Sequence, residues 1–179
     1  MTGLNHAIVC VGASLVCASI GAVCDIRTRK IPNRLTGPSI LVGLLLHLIL
    51  DGWCAMSMSA LAGVVGGGIF LVFYFAGGMG AGDVKLMAAV TSIAGLSHVA
   101  EILIGTALAG GLLAAGLALS RGQLKSAFIN IGILASHHFT RGLTPHSQLN
   151  ASNPKTLRLP YGIAIAAGAA MSFCSVALR

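Results

Sequence analysis

The chain has 179 residues, of which 56% are apolar and only 8% charged, with a mean hydropathy of +0.91. That balance excludes an ordinary soluble globular domain and points to a polytopic membrane protein. The net charge of +7 comes without an aromatic or groove-binding module, so it excludes a nucleic-acid footprint and fits topology and anionic lipid headgroups instead.

Apolar runs occur at Leu4 to Cys24, Leu35 to Leu50, Ser59 to Phe75, Val84 to Leu96, Val99 to Leu119 and Tyr161 to Leu178. About 20 apolar residues cross the hydrocarbon core, so these predict six spans, the fourth being short. They lack the alternation of a barrel strand, and lipid offers backbone amides no partner; each is therefore expected to be α-helical. The predicted fold is an all-α membrane bundle forming one domain over residues 1–179. The first run is read as a span and not a cleaved signal, because its basic residues follow the apolar stretch instead of preceding it.

Arg27, Arg29, Lys30 and Arg34 follow the first span, Lys85 follows the third, and Arg121, Lys125, Arg141, Lys155 and Arg158 lie between the last two. An extracytoplasmic amino terminus places all of these on the cytoplasmic side, as the positive-inside rule asks. Asp25 and Asp83 then share the cytoplasmic face, while Asp51 and Glu101 lie toward the other.

Only four acidic residues are present, and Asp25 and Asp83 both stand at the edges of apolar runs. Ionisable groups there are costly and mark candidate functional sites. Two carboxylates that share a site lose their protons in separate steps, supplying one base and one acid for amide hydrolysis. Asp83 begins a helix and Asp25 ends one, so the helix dipoles predict that Asp83, reinforced by Lys85, carries more of the negative charge. Gly80 and Gly82 are expected to let an extended substrate backbone come close.

Other features read as packing. Cys10, Cys17 and Cys24 fall on one helix face, and Gly63 with Gly67 and the series Gly105, Gly110, Gly111 and Gly116 permit close helix approach, which allows homo-oligomerisation without forcing it. Pro38, near the start of the second span, suits a first-turn or kink position. Leu124 to Phe139 is read as a surface-lying amphipathic helix and Thr140 to Pro160 as a cytoplasmic loop. His137 and His138 have no Asp, Glu or Cys beside them, so no metal is expected there.

The stretches Asp25-Ile26-Arg27-Thr28-Arg29-Lys30-Ile31-Pro32-Asn33, Gly80-Ala81-Gly82-Asp83-Val84-Lys85-Leu86 and Pro160-Tyr161-Gly162 resemble the three signatures of bacterial type IV prepilin peptidases, which carry a Gly-x-Gly-Asp motif. The resemblance implies an inner-membrane aspartic endopeptidase that removes basic leaders from prepilins and pseudopilins at the cytoplasmic face, with Asp25 and Asp83 as its catalytic pair. It implies that Arg29, Pro32, Asn33, Gly80, Gly82, Lys85, Pro160, Tyr161 and Gly162 bind substrate or shape the site, with Lys85 or Arg29 meeting an acidic residue of the pilin. Many members also methylate the new amino terminus and carry paired Cys-x-x-Cys motifs in a large loop. This chain has a short first loop and lacks Cys-x-x-Cys, so it is similar to the branch serving Flp-type, tight-adherence pili, and neither a methyltransferase nor a cofactor is expected. The competing reading is a small ion-coupled transporter or channel with intramembrane carboxylates.

Overall fold

The computed structural model describes residues 2–122 and 159–178, with isolated positions between them. The expected interfacial helix, most of the loop that follows it, and His137 and His138 lie outside the described residues. Among the described residues every regular element is helical: α1 (Thr2–Thr28), α2 (Asn33–Phe75), α3 (Ala81–Ala94), a short 3-10 turn (Leu96–His98), α4 (Val99–Ser120) and α5 (Tyr161–Ala177).

The end of α1 is set by local chemistry. Arg29 adopts a left-handed conformation (φ 54°), and its N–H donates to the Asp25 carbonyl at 2.9 Å, closing the last turn. Thr28 Oγ1 donates to the carbonyls of Cys24 and Lys30. Pro32 then stands in extended conformation as the N-cap of α2, and its carbonyl accepts the N–H of Leu35 at 3.0 Å. The connection is therefore very short, and it brings Asn33 beside Lys85.

Gly52 breaks α2, with φ 82° and ψ −168°. Residues on both sides of the break meet the same part of α3. A Cβ on Gly43 would lie 2.9 Å from Ile93 N, while Ser59 Oγ donates to the Ser92 carbonyl at 2.7 Å and a Cβ on Gly63 would lie 3.2 Å from the Ala88 carbonyl. Twenty residues of straight helix would span about 30 Å, so the two arms must fold back at Gly52. The first arm runs alongside α3 in the same direction, from Asn33 beside Lys85 to Gly43 beside Ile93; the second returns, from Ser59 beside Ser92 to Gly67 beside Ala88. Pro38 lies inside the first arm, beyond its first turn.

α3 is the centre of the bundle. Leu86, Met87, Ala89 and Val90 are wholly buried, and Leu86 packs against Gly21 of α1, where a Cβ would come within 2.6 Å of its methyls. α5 packs against both α1 and α4. Its contact with α4 is backbone to backbone, since a Cβ on Gly105 would lie 2.8 Å from Gly168 Cα. Cys10 and Cys17 are buried as free thiols, in keeping with a packing role. Gly63, Gly67 and Gly105 stand at close helix approaches as expected, whereas Gly111 and Gly116 face open space.

Three helical stretches, Asn5–Thr28, Asn33–Phe75 and Leu96–Ser120, are long and apolar enough to cross a membrane, and Tyr161–Ala177 is shorter and apolar. Trp53 and Leu112 are about three-quarters exposed (74% and 75%). Surfaces of this kind would be a liability in water and suit lipid.

A polar clamp joins α4 to α5. Glu101 Oε2 accepts hydrogen bonds from Ser172 Oγ and Ser175 Oγ, each at 3.0 Å, with His98 Nδ1 at 3.4 Å. Charge-assisted bonds of this kind contribute roughly 1.5–3 kcal/mol before screening. Because Glu101 is partly exposed, the expected loss on Glu101→Ala is about 1 kcal/mol, with a smaller loss for Glu101→Gln. A thermal-melt series in detergent checks that order.

Candidate active site

The three signature stretches meet at one end of the bundle. Asp25, on the last turn of α1, is 9% exposed, and its Oδ2 accepts the Gly162 N–H at 3.0 Å. That donor belongs to the first turn of α5, whose amides have no partner within their own helix. Pro160 is the N-cap of α5 and Tyr161 its first residue. A Cβ on Gly162 would lie 2.9 Å from Ala22 Cα and 3.0 Å from Asp25 Cβ, so the approach of α5 to α1 requires glycine there.

Asp83 is also 9% exposed, and its Oδ2 accepts the Gly80 N–H at 3.1 Å. The Asp83 N–H in turn donates to the Gly80 carbonyl at 3.1 Å. The reciprocal pair starts α3 at Ala81 with Gly80 as N-cap, a turn earlier than the apolar run suggests. Asp83 therefore occupies the third helical position. Gly82 packs against the chain's own Ile31, to whose Cβ a Cβ would lie 3.2 Å away, so its small size serves the contact between the first two signatures.

Lys85 Nζ donates to Asn33 Oδ1 at 2.9 Å, tying α3 to the first residue of α2. Both side chains are exposed, as is Arg29. Asp25 and Asp83 lie within each other's electrostatic reach, and Tyr161 lies within reach of Asp83. Gly80, Gly162 and Tyr161 are thus gathered around the two buried carboxylates, while Lys85 and Asn33 pair with each other.

Burial works against the negative charge expected on Asp83. Asp83 precedes the apolar run beginning at Val84; burial pushes its carboxyl up to about 6, against the Gly80 N–H that favours the anion, with a further upward push from the charge of Asp25. The ammonium of Lys85 is directed to Asn33. Asp25 does end α1, but it also faces the amino end of α5, a partner 137 residues away that the dipole of α1 alone leaves out.

A second polar cluster went unnoticed in the sequence. At the far end of α3, His6 Nδ1 meets Asp51 Oδ1 at 3.2 Å and His47 Nε2 donates to the Ile93 carbonyl at 3.1 Å; both line a cavity of about 390 Å³ with Cys10 and His98. Among the described residues no three His, Cys, Asp or Glu side chains converge as a metal site would require. Only folding brings these positions together, so no local spacing marks them.

Two buried carboxylates, each bound by a main-chain amide within an apolar helical bundle, form an arrangement that can offer one acid and one base to a hydrolytic reaction. The family model of the type IV leader peptidase family matches residues 12–115, and the chain belongs to that family. It is a peptidase. No curated protein and no solved structure matches the chain. The matched region includes both aspartates and ends before Pro160, so α5 joins the site on geometry.

Proposed function

We propose that this peptidase is an aspartic endopeptidase that removes the leader from Flp-like prepilins and pseudopilins at the cytoplasmic face of the inner membrane, without methylating the product. The observation that supports the reading is that Asp25 and Asp83, each buried and held by a main-chain amide, lie within each other's electrostatic reach. Each carboxylate has its Oδ2 on a backbone N–H, which leaves Oδ1 for water or substrate. One ionised Asp takes a proton from water as the oxygen attacks the scissile carbonyl carbon. The protonated Asp gives its proton to the carbonyl oxygen, yielding a neutral tetrahedral diol. Return of a proton to the amide nitrogen then releases the amine as the C–N bond breaks.

The fold-back at Gly52 supports six crossings: α1, the two arms of α2, short α3 with Val84 to Leu96 as its apolar part, α4 and α5. An extracytoplasmic amino terminus satisfies the charge bias and sets the dyad at the cytoplasmic side. A prepilin can leave its apolar helix in lipid while its leader junction reaches that depth. The connection from Arg29 to Pro32 has no room for the large loop that accompanies methyl transfer in longer relatives.

Purified protein in detergent, mixed with an Flp-like precursor, should release the leader and leave an unmethylated amino terminus by mass spectrometry. Asp25→Asn and Asp83→Asn should each lower the rate by at least about 10³ while expression and membrane insertion persist. Undiminished processing by either variant would sink the two-carboxylate mechanism. Ion flux lost in these variants with processing intact would instead favour a transporter.

A further inference from the structure

We propose that Asn33 is a positioning residue: by accepting the ammonium of Lys85 it braces the turn between α1 and α2 against α3, and so sets the spacing of Asp25 and Asp83. The inference rests on the two-carboxylate reading above and adds to it the contact that holds the pair in register.

Each aspartate is first tied to its own turn. Asp25 lies on the last turn of α1, which the Arg29 N–H closes on the Asp25 carbonyl at 2.9 Å. Residues 29–32 then lead directly to Asn33, with Pro32 extended and its carbonyl bound to the N–H of Leu35. Asp83 is held by Gly80 at the start of α3. The Gly162 N–H ties Asp25 to α5, not to the helix that carries Asp83.

α1 and α3 pack directly where Leu86 lies on Gly21, an apolar contact. Beyond it, the turn that follows Asp25 meets the first turns of α3 at two points. A Cβ on Gly82 would lie 3.2 Å from Ile31 Cβ, and Lys85 Nζ donates to Asn33 Oδ1 at 2.9 Å. Positions 82 and 85 are neighbours on one face of α3, with Asp83 between them in sequence. Ile31 packs against the buried core, whereas Asn33 and Lys85 are exposed, so an inner apolar contact is paired with an outer polar one. A single contact leaves a helix free to pivot about it; the second fixes its rotation.

Two observations separate bracing from other uses of these side chains. Asn33 is the first residue of α2, yet the helix start has no side-chain capping bond, so its amide serves the contact with Lys85. Among the described residues Lys85 forms no ion pair with Asp25 or Asp83. Its ammonium is held by a neutral amide, which adds no negative charge beside the carboxylates. A bond between exposed groups contributes little to stability, but a displacement of about 1 Å at reacting groups can cost about 10² in rate. The brace is therefore visible in turnover far more than in melting.

The test is a double-mutant cycle of Asn33→Ala and Lys85→Met in the full chain, purified in detergent and given an Flp-like precursor. Methionine keeps the apolar stem of Lys85 without its charge. Each single variant is expected to lower kcat about tenfold with KM within about twofold. The melting midpoint should move by no more than about 4 °C. The double variant should also lose about tenfold, because the two side chains act as one contact. Lys85→Arg keeps a charged donor for Asn33 and should return kcat to within about threefold of wild type.

A double variant whose loss is the product of the single losses, about a hundredfold, overturns the proposal, since the two residues then act separately. A raised KM at unchanged kcat in Lys85→Met does the same, because it is the mark of a cation that meets the substrate. Undiminished kcat in both single variants, or no recovery in Lys85→Arg, also overturns it. Any of these results with Asp25→Asn and Asp83→Asn inactive rejects the brace alone. Leader removal that survives in those two variants rejects the two-carboxylate reading beneath it.

Discussion

Asp83→Asn is expected to give a protein that no longer cleaves yet melts higher than wild type at neutral pH. Burial raises the folded-state value of Asp83 from 3.8 to about 6. A carboxyl shifted upward binds its proton more tightly folded than unfolded, so its contribution is fully present below the unfolded value and is lost as pH rises through the folded one. At pH 8 wild type therefore bears the cost of a buried anion, on the order of 2 kcal/mol after allowing for residual exposure. Asparagine keeps an oxygen to accept the Gly80 N–H but carries no charge. For a chain of this size the gain corresponds to roughly 4–8 °C in melting midpoint, shrinking toward pH 4. Melting curves of both proteins across that range check it, and a variant less stable than wild type at pH 8 would remove the argument. A catalytic group retained at a cost in stability is a common feature of active sites.

Composition and apolar runs were enough to identify a helical membrane protein, because lipid leaves so few backbone solutions. The two aspartates were legible for a related reason: few acids exist in the chain, and both stand where a charge is expensive. The partners that hold them were not legible. They depend on which helix end faces each carboxylate, and the amino end of α5 reaches Asp25 only through tertiary packing. A dipole argument drawn from neighbouring residues alone could see the carboxyl end of α1 and nothing more. Gly80 and Gly82 illustrate the same limit. Their smallness was visible, but its use, in starting α3 early and admitting Ile31, depended on partners outside the motif.

Serine and histidine placement was the least readable. Ser59 with Ser92, and Ser172 and Ser175 with Glu101, join helices through side-chain hydrogen bonds. In sequence these residues are merely small and polar. Gly52 is comparable: it lies between two apolar runs, and its φ of 82° is what turns them into adjacent arms. The result places α3 between α1, α5 and a doubled α2, so the helix that carries Asp83 is deeply enclosed, with small residues of α1 and α2 packed against it.

That dependence on small residues makes Gly168 the position where one added carbon should do most harm. A Cβ there would lie 2.7 Å from Thr106 N and closer still to Thr106 Oγ1 and the Ile102 carbonyl, all on α4. The Thr106 and Ile102 atoms belong to a buried turn, in which Thr106 Oγ1 donates to the Ile102 carbonyl at 2.7 Å, so neither can move without breaking that bond. Gly168→Ala must therefore separate α5 from α4, at about 3 kcal/mol, or roughly 6–12 °C in melting midpoint. Because α5 also carries Gly162, the displacement should reach Asp25, and leader removal should fall together with stability. Gly111→Ala and Gly116→Ala are the matched controls, since nothing lies within 4 Å of either added Cβ. These should be neutral or slightly stabilising, as alanine favours helix over glycine by roughly 0.5–1 kcal/mol. If Gly168→Ala melts with the controls, the α4 to α5 contact is looser than its geometry implies, and the rigid placement of α5 over the dyad falls with it.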